Sequence, residues 1–356
     1  MPARRVTMND IALRAKVSKN TVSLALRHDP QIPEKTQRRL QQLARVMGYQ
    51  KNPTVAHLMA QLRRNQAPAF QASLALLNAN LDPAALTRHP TVPVYVRGCR
   101  RRAAELGYSF DEFWLHDKTL DAPRLQRILR TRNIRGLLVV GLMIENRLPA
   151  RFLPIWKQFP TVVTGARTQD PALSFSCSDQ HVLALKAFEQ ALRLGYQRPA
   201  LVLDHVIDRL VDGRFTSGIH IAQKLLPKSR QTRPFYMVTE ARDKPELFRR
   251  WFAQEKPDVI LTLYNVVRDW IEGMKLRVPD DVGLIQLEWR EDHPEWAGMN
   301  QHNDVVGEAA VEMVINMIHN HAPGLPDFPR ATFIGSTWVD GQTVRRAALE
   351  ATAKTA

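Results

Sequence analysis

Cysteine is scarce, with only Cys99 and Cys177 in 356 residues. That count excludes a disulfide scaffold and points to a reducing, cytoplasmic setting. Each thiol reads as a small, partly buried apolar side chain. Apolar runs are short, and none approaches the ~18 residues that cross a bilayer. The opening "MPARRVTMND" is basic but lacks the apolar stretch of a secretory signal. No Gly-rich phosphate loop and no G-x-S-x-G turn occurs, and neither cysteine has a convincing His neighbour. His319 and His321 flank Asn320 near a helix end, which reads as a solvated terminus rather than a metal site. Asp280-Asp281 precede a strand and read as loop charges. The sequence therefore implies no catalytic set, no metal and no cofactor, and so no enzyme.

Acidic residues are also sparse where basic ones are dense. Residues 1–64 hold 13 Lys and Arg against 3 Asp and Glu, while the other 292 residues hold 37 against 32. The formal charge of +15 is thus an amino-terminal feature, and it calls for a polyanionic partner. Hydrophobic content of 44% and charged content of 24% exclude global disorder. The length suffices for two or three domains with a sizeable core.

The basic segment reads as three short helices. Thr7 followed by Asp10 has capping-box spacing, with Ile11, Ala12 and Ala15 on one face. Ser18 can cap a second helix from Lys19 to about Leu26, whose apolar side is Val22, Ala25 and Leu26. Pro30 and Pro33 end that run and open a third helix through Leu40, Leu43, Ala44 and Met47, closed by Gly48. This is the plan of a helix-turn-helix unit, whose second helix presents Lys19, Asn20 and Thr21 to a major groove.

The stretch "VTMNDIALRAKVSKNTVSLALRHDPQIPEKTQRRLQQLARVMGYQKNPTVAHLMAQLRR" resembles the headpiece of the lactose repressor family of bacterial transcription regulators. The likeness rests on V-T-x-x-D-I-A, V-S-x-x-T-V-S, the K-T helix start and the G-Y-x-x-N ending. It implies base reading by Lys19, Asn20 and Leu24, and phosphate contacts from Thr7, Ser18, Thr21, Ser23, Thr36 and Asn52. Relatives often carry Arg where Leu24 stands; Arg bonds guanine O6 and N7 together, whereas Leu packs against a thymine methyl. Residues 53–64 match the family's hinge helix. Leu58 falls on its minor-groove wedge, with Met59 as rival because the hinge "Val-Ala" sits one residue late.

Beyond a polar linker, apolar strands alternate with amphipathic helices: 73–79, 92–106, 109–116, 122–132, 134–142, 161–166, 173–179, 180–194, 199–204, 212–226, 233–240, 244–254, 259–264, 266–276 and 282–288. That alternation implies two doubly wound parallel-sheet lobes with a ligand cleft beyond the strand ends. The family resemblance adds a periplasmic-binding-protein-like regulatory part, carried best by 178–202 and 276–289. The expected division is a headpiece (1–52), hinge and linker (53–72), and a two-lobed effector and dimerisation domain (73–356). Strand ends nominate Asn78, Asp179, Arg214, Tyr264, Asn265, Glu288 and Trp289 as effector residues. A carboxylate beside an indole suits a sugar or sugar derivative. Three departures from the family pattern stand here: Leu287-Glu288-Trp289 for aromatic-Asp-Asp, Arg214-x-x-x-Gly218 for Arg-x-x-Gly, and a short segment from Asn265 to Val278. "GCRRRAAELG" (98–107) reads as the polar face of a lobe helix that could join a dimer interface.

The expected protein is a homodimeric repressor of a near-palindromic double-stranded DNA operator, controlled by a small-molecule effector, with no membrane partner. Its rivals are a periplasmic solute-binding protein, which would need an export signal and no basic headpiece, and a sugar-processing α/β enzyme, which would need a convergent acid/base pair in the cleft.

Overall fold

The computed structural model describes residues 6–26, 31–47 and 72–346. The first two segments form α1 (Met8–Ala15), α2 (Lys19–Ala25) and α3 (Glu34–Val46). Thr7 and Asp10 make the reciprocal capping box that their spacing implies, with Thr7 N donating to Asp10 Oδ2 at 2.7 Å. The left-handed Lys16 (φ 54°) ends α1 and turns the chain into α2. Ser18 caps α2, its hydroxyl accepting from Thr21 N at 3.0 Å. Ile11, Ala12, Val22, Ala25, Leu40 and Ala44 form one small buried core. Each helix contributes two of these residues, those of α2 and α3 at the i+3 and i+4 spacing of one helix face, so no helix buries its face alone.

The longer segment builds two sheets. The first has the order β10-β5-β4-β3-β1-β2, from β1 (Ala72–Asn78), β2 (Tyr108–Trp114), β3 (Leu137–Val140), β4 (Thr161–Thr164), β5 (Ser174–Ser178) and β10 (Ala331–Ile334). All its pairings are parallel. Leu74 and Leu76 face one core layer and Ala75 and Leu77 the other, so helices must cover both faces. The second sheet, β11-β9-β8-β7-β6, comprises β6 (Pro199–Val202), β7 (Val259–Thr262), β8 (Gly283–Gln286), β9 (Ala297–Asn300) and β11 (Thr337–Val339). Only β11 runs antiparallel. The chain passes from the first lobe to the second after Ser178, back after Asn300, and across again after Ile334.

The helices that place the cleft are α4 (Ala85–Arg88), α5 (Val92–Glu105), α6 (Ala122–Thr131), α7 (Leu153–Gln158), α8 (Gln180–Arg193), α9 (His205–Leu210), α10 (Arg214–Gln223), α11 (Val238–Asp243), α12 (Glu246–Glu255), α13 (Val266–Glu272) and α14 (Asn303–His319). α14 returns to the first lobe and crosses α5 at glycines: a Cβ on Gly98 would lie 1.9 Å from Asp304 O, and one on Gly307 2.2 Å from Tyr95 O. Around this crossing Arg101 pairs with Asp304 at 2.8 Å, and Arg102 reaches Glu312 at 2.7 Å. The arginines of 98–107 thus serve contacts within the lobe.

Three expected elements differ. The helix expected over 212–226 is α10, which starts only at Arg214 because Asp212 (φ 56°) and Gly213 (φ 71°) are left-handed and separate it from α9, a helix the sequence reading did not expect. The apolar run 233–240 is not a strand. It makes isolated bridges, Val202–Phe235 and Asp204–Met237, and then coils into α11. Asp204 causes this turn by accepting from Thr239 N at 3.0 Å and Thr239 Oγ1 at 2.6 Å. The helix expected over 266–276 ends at Glu272. No described helix is long and apolar enough to cross a membrane.

Candidate functional site

Two surfaces can carry function: the first turn of α2, and the cleft where the strands of both lobes end. On α2, Lys19 is exposed, while Thr21 and Leu24 are half-buried. Ser18 Oγ and Thr21 Oγ1 lie 2.8 Å apart at the helix start, where unpaired backbone N–H groups and the helix dipole favour an anion. Thr7 marks the start of α1, and Thr36 lies in the first turn of α3. The hydroxyls nominated for phosphate contact thus gather where helices begin. The side chains of Asn20 and Ser23 lie outside the described residues, as do Asn52, Leu58 and Met59.

In the cleft, a cavity of about 580 Å³ lies between the ends of both sheets. The first lobe contributes His89, Tyr95 and Thr164, and the second Tyr264, Asn265 and Glu288. Glu288 is partly buried, its Oε1 accepting from Asn303 Nδ2 at 2.8 Å and its Oε2 from Thr91 Oγ1 at 3.2 Å. Because Thr91 precedes α5 and Asn303 opens α14, this carboxyl ties the second sheet to the first lobe. Desolvation pushes its pKa above the ordinary glutamate range, with Arg290 pulling it part-way back. Tyr95 is buried beside it, and desolvation and then the Glu288 charge push its hydroxyl well above the usual tyrosine range.

A raised carboxyl pKa means that the folded state binds the proton more tightly than the unfolded state. The stability associated with the protonated form is therefore complete below the unfolded pKa and is lost as pH rises through the folded one. Glu288→Gln keeps a neutral group in place. Its melting temperature should gain on the parent's as pH rises from 4 to 8; a gap that narrows in thermal melts over that range would contradict this account of Glu288.

Of the seven nominated effector residues, Tyr264, Asn265 and Glu288 line the cavity together. The other four are committed elsewhere. Asn78 donates from Nδ2 to Asp82 O and Pro83 O, at 3.1 and 3.2 Å, and so folds the loop after β1. Asp179 caps α8. Arg214 lies over the Phe333 ring at 4.4 Å and reaches Cys177 Sγ at 3.4 Å. Trp289 lines a neighbouring pocket of about 400 Å³ with Arg97 and His302. Gly218, from the altered Arg-x-x-x-Gly motif, lets α10 approach α8: a Cβ there would meet His181 O at 2.5 Å. The sequence reading missed His89, Gln180, Arg242 and Arg290, which also line the cavity. Gln180 directly follows the nominated Asp179 and Arg290 the nominated Trp289, so strand-end logic could have found these two but not His89 or Arg242.

Among the described residues no group of His, Cys, Asp and Glu could hold a metal ion. His319 instead meets the Tyr108 hydroxyl at 3.2 Å.

Residues 7–52 match the family described as bacterial regulatory proteins, lacI family. That amino-terminal segment is the part of the chain that carries the family likeness. Beyond that segment the likeness is one of fold. Solved structures share its fold at low identity. The "transcriptional regulator CelR-cellobiose complex" matches at TM-score 0.57 and 16% identity, over 95% of this chain and 100% of that one. The lac repressor dimer bound to operator and the anti-inducer ONPF matches at 0.56 and 16%, over 96% and 100%. A third, the regulator CcpA of Lactococcus lactis, matches at 0.56 and 11%, over 77% and 100%. No curated protein matches the chain.

Proposed function

We propose that this protein is a lacI-family transcription regulator, a cytoplasmic homodimeric repressor with each headpiece reading one half of a near-palindromic operator. The carrying observation is α2, a Ser18-capped helix with an exposed Lys19 in its first turn, inside the segment that matches the family. The division into headpiece (1–52), hinge and linker (53–72) and two-lobed effector domain (73–356) belongs to this reading, as do the minor-groove roles of Leu58 and Met59. A small molecule in the interlobe cavity shifts the population of dimer states and with it the operator affinity. A sugar or sugar derivative is the class suggested by CelR, which is solved with cellobiose. A mobility-shift assay with the host's upstream DNA, with and without cell metabolites, tests both halves of the proposal. Retarded fragments whose shift changes with one metabolite support it; no fragment preferred over bulk DNA overturns it.

Leu24 gives a prediction about sequence choice. With no Arg to bond guanine O6 and N7 at this position, sites selected from a random duplex pool should lack a guanine that depends on residue 24. Leu24→Arg should restore guanine preference at one position per half-site, by roughly ten-fold or more. Strong guanine enrichment that Leu24→Ala abolishes would contradict this.

A further inference from the structure

The cavity between the lobes is poor in free acceptors and rich in donors. Two guanidinium groups line it, those of Arg242 and Arg290, against one carboxyl, that of Glu288. Arg242 has no acid partner among the described residues, and it acts on Tyr264 across the cavity wall. The acid partner of Arg290 is Asp292, at 3.8 Å, the outer limit of an ion pair. Both oxygens of Glu288 are already engaged by Thr91 and Asn303. His89 adds a donor: its Nδ1 accepts from Thr91 N at 3.1 Å and from Val92 N at 3.4 Å, which leaves the proton on Nε2. Burial, and then the Arg290 charge, hold its pKa below the ordinary histidine value, so the ring is a neutral donor.

One acceptor stands out against these donors. Gln180 is 3% exposed and lines the cavity, and its Oε1 has no hydrogen-bond partner. A buried acceptor left empty is unfavourable until a donor arrives, and a ligand hydroxyl would satisfy it. Leu210, Val211, Phe215 and Leu263 form an apolar wall. A neutral sugar needs several free acceptors for its hydroxyls and an aromatic platform for its ring face. Here Tyr95, Phe215 and Tyr264 supply aromatic surface, but the one carboxyl is occupied, which leaves few free acceptors for the hydroxyls of a neutral sugar.

We propose that this cavity takes a hydroxylated carboxylate, its anionic end held by Arg290 and Arg242 and a hydroxyl donating to Gln180. Charge-assisted bonds from a partly desolvated guanidinium such as Arg290 are stronger than neutral ones, and a ligand carboxylate supplies the acid that Arg242 lacks and a closer partner for Arg290 than Asp292 at 3.8 Å. The donor and acceptor pattern is shared by sugar acids and hydroxylated aromatic acids; the apolar wall accommodates the carbon body of either. The inference rests on the cavity being the effector site.

The test is calorimetry on the full-length protein at pH 7.5 with a paired panel: hexuronates, aldonates and hydroxybenzoates, each beside its neutral hexose, alditol or hydroxybenzyl alcohol. At least one acid should bind ten-fold or more tightly than its neutral counterpart. Arg242→Gln, at an exposed position that should not disturb folding, should weaken that acid about ten-fold and leave the neutral counterpart unchanged. Arg290→Gln should do the same, and Gln180→Leu should remove the preference for the acid over its deoxy analogue. Neutral members binding as tightly as acids, no acid binding at all, or unchanged acid affinity in both arginine variants would each overturn the proposal. Operator binding retained in those cases would leave the regulator reading intact, so the two failures are distinguishable.

Discussion

Leu40→Ala should abolish operator binding while leaving the two lobes folded. Among the described residues Leu40 is one of six buried side chains that form the headpiece core, four of them no larger than valine. At roughly 0.05–0.15 kcal/mol per residue, a headpiece of about 40 residues is stable by about 2–6 kcal/mol. A buried Leu→Ala change costs about 2–5 kcal/mol, so it uses most or all of that stability. A melted headpiece has no ordered α2 to place in a groove. Operator affinity measured by fluorescence anisotropy should fall by more than about 100-fold, while the main calorimetric transition of the lobes stays in place. Affinity within three-fold of the parent would mean that the headpiece does not depend on this core. Loss of the main transition would mean that the headpiece and lobes are one cooperative unit.

The second large effect is at the crossing of α5 and α14. A side chain at Gly98 or Gly307 would run into backbone atoms of the facing helix, 1.9 and 2.2 Å from where its Cβ must sit. Neither helix can retreat easily, because the Arg101–Asp304 and Arg102–Glu312 pairs hold the two together and Cys99 packs at 0% exposure beside Gly307. Overpacking a tight interior costs about 1–3 kcal/mol, and a backbone clash belongs at the top of that range or above. Gly98→Val and Gly307→Val should each destabilise the lobes by about 3 kcal/mol or more in thermal melts. Gly335→Ala, where a Cβ meets nothing within 4 Å, should stay within ~0.5 kcal/mol. α14 also carries Asn303, the partner of Glu288, so the two valine variants should weaken the coupling between ligand and operator as well. Parent-like melting in both would show that the helices can slide apart at no cost.

The headpiece was legible because its signals are local. Thr7–Asp10 spacing, Ser18 before Lys19 and the Pro33 boundary each act within one turn of helix, and each helix begins where these residues place it. The alternation of strand and helix was legible for the same reason, since buried parallel strands read as short apolar runs. What the sequence concealed depends on distant partners. The run 233–240 has strand composition, but Asp204, 35 residues from Thr239, captures it and turns the chain into a helix. The carboxyl-terminal return to the first lobe went unassigned, although Val306, Ala310, Val311 and Val314 on α14 carry the helical period that would have revealed it. In the cleft, position after a strand end nominated Asn78 and Trp289, yet one folds a loop and the other faces a second pocket. Of the arginines that set the charge of the cavity, Arg290 stands one residue past the nominated Trp289, whereas Arg242 comes from a helix end that no strand pattern marks.

The account stands most directly on what the purified protein selects from a random pool of duplexes at moderate salt. It predicts enrichment of a near-palindrome with two half-sites, lost when Lys19 is changed to Ala and altered when Leu24 is changed to Arg. A pool that emerges without a shared palindrome, or with one that neither substitution disturbs, would contradict it.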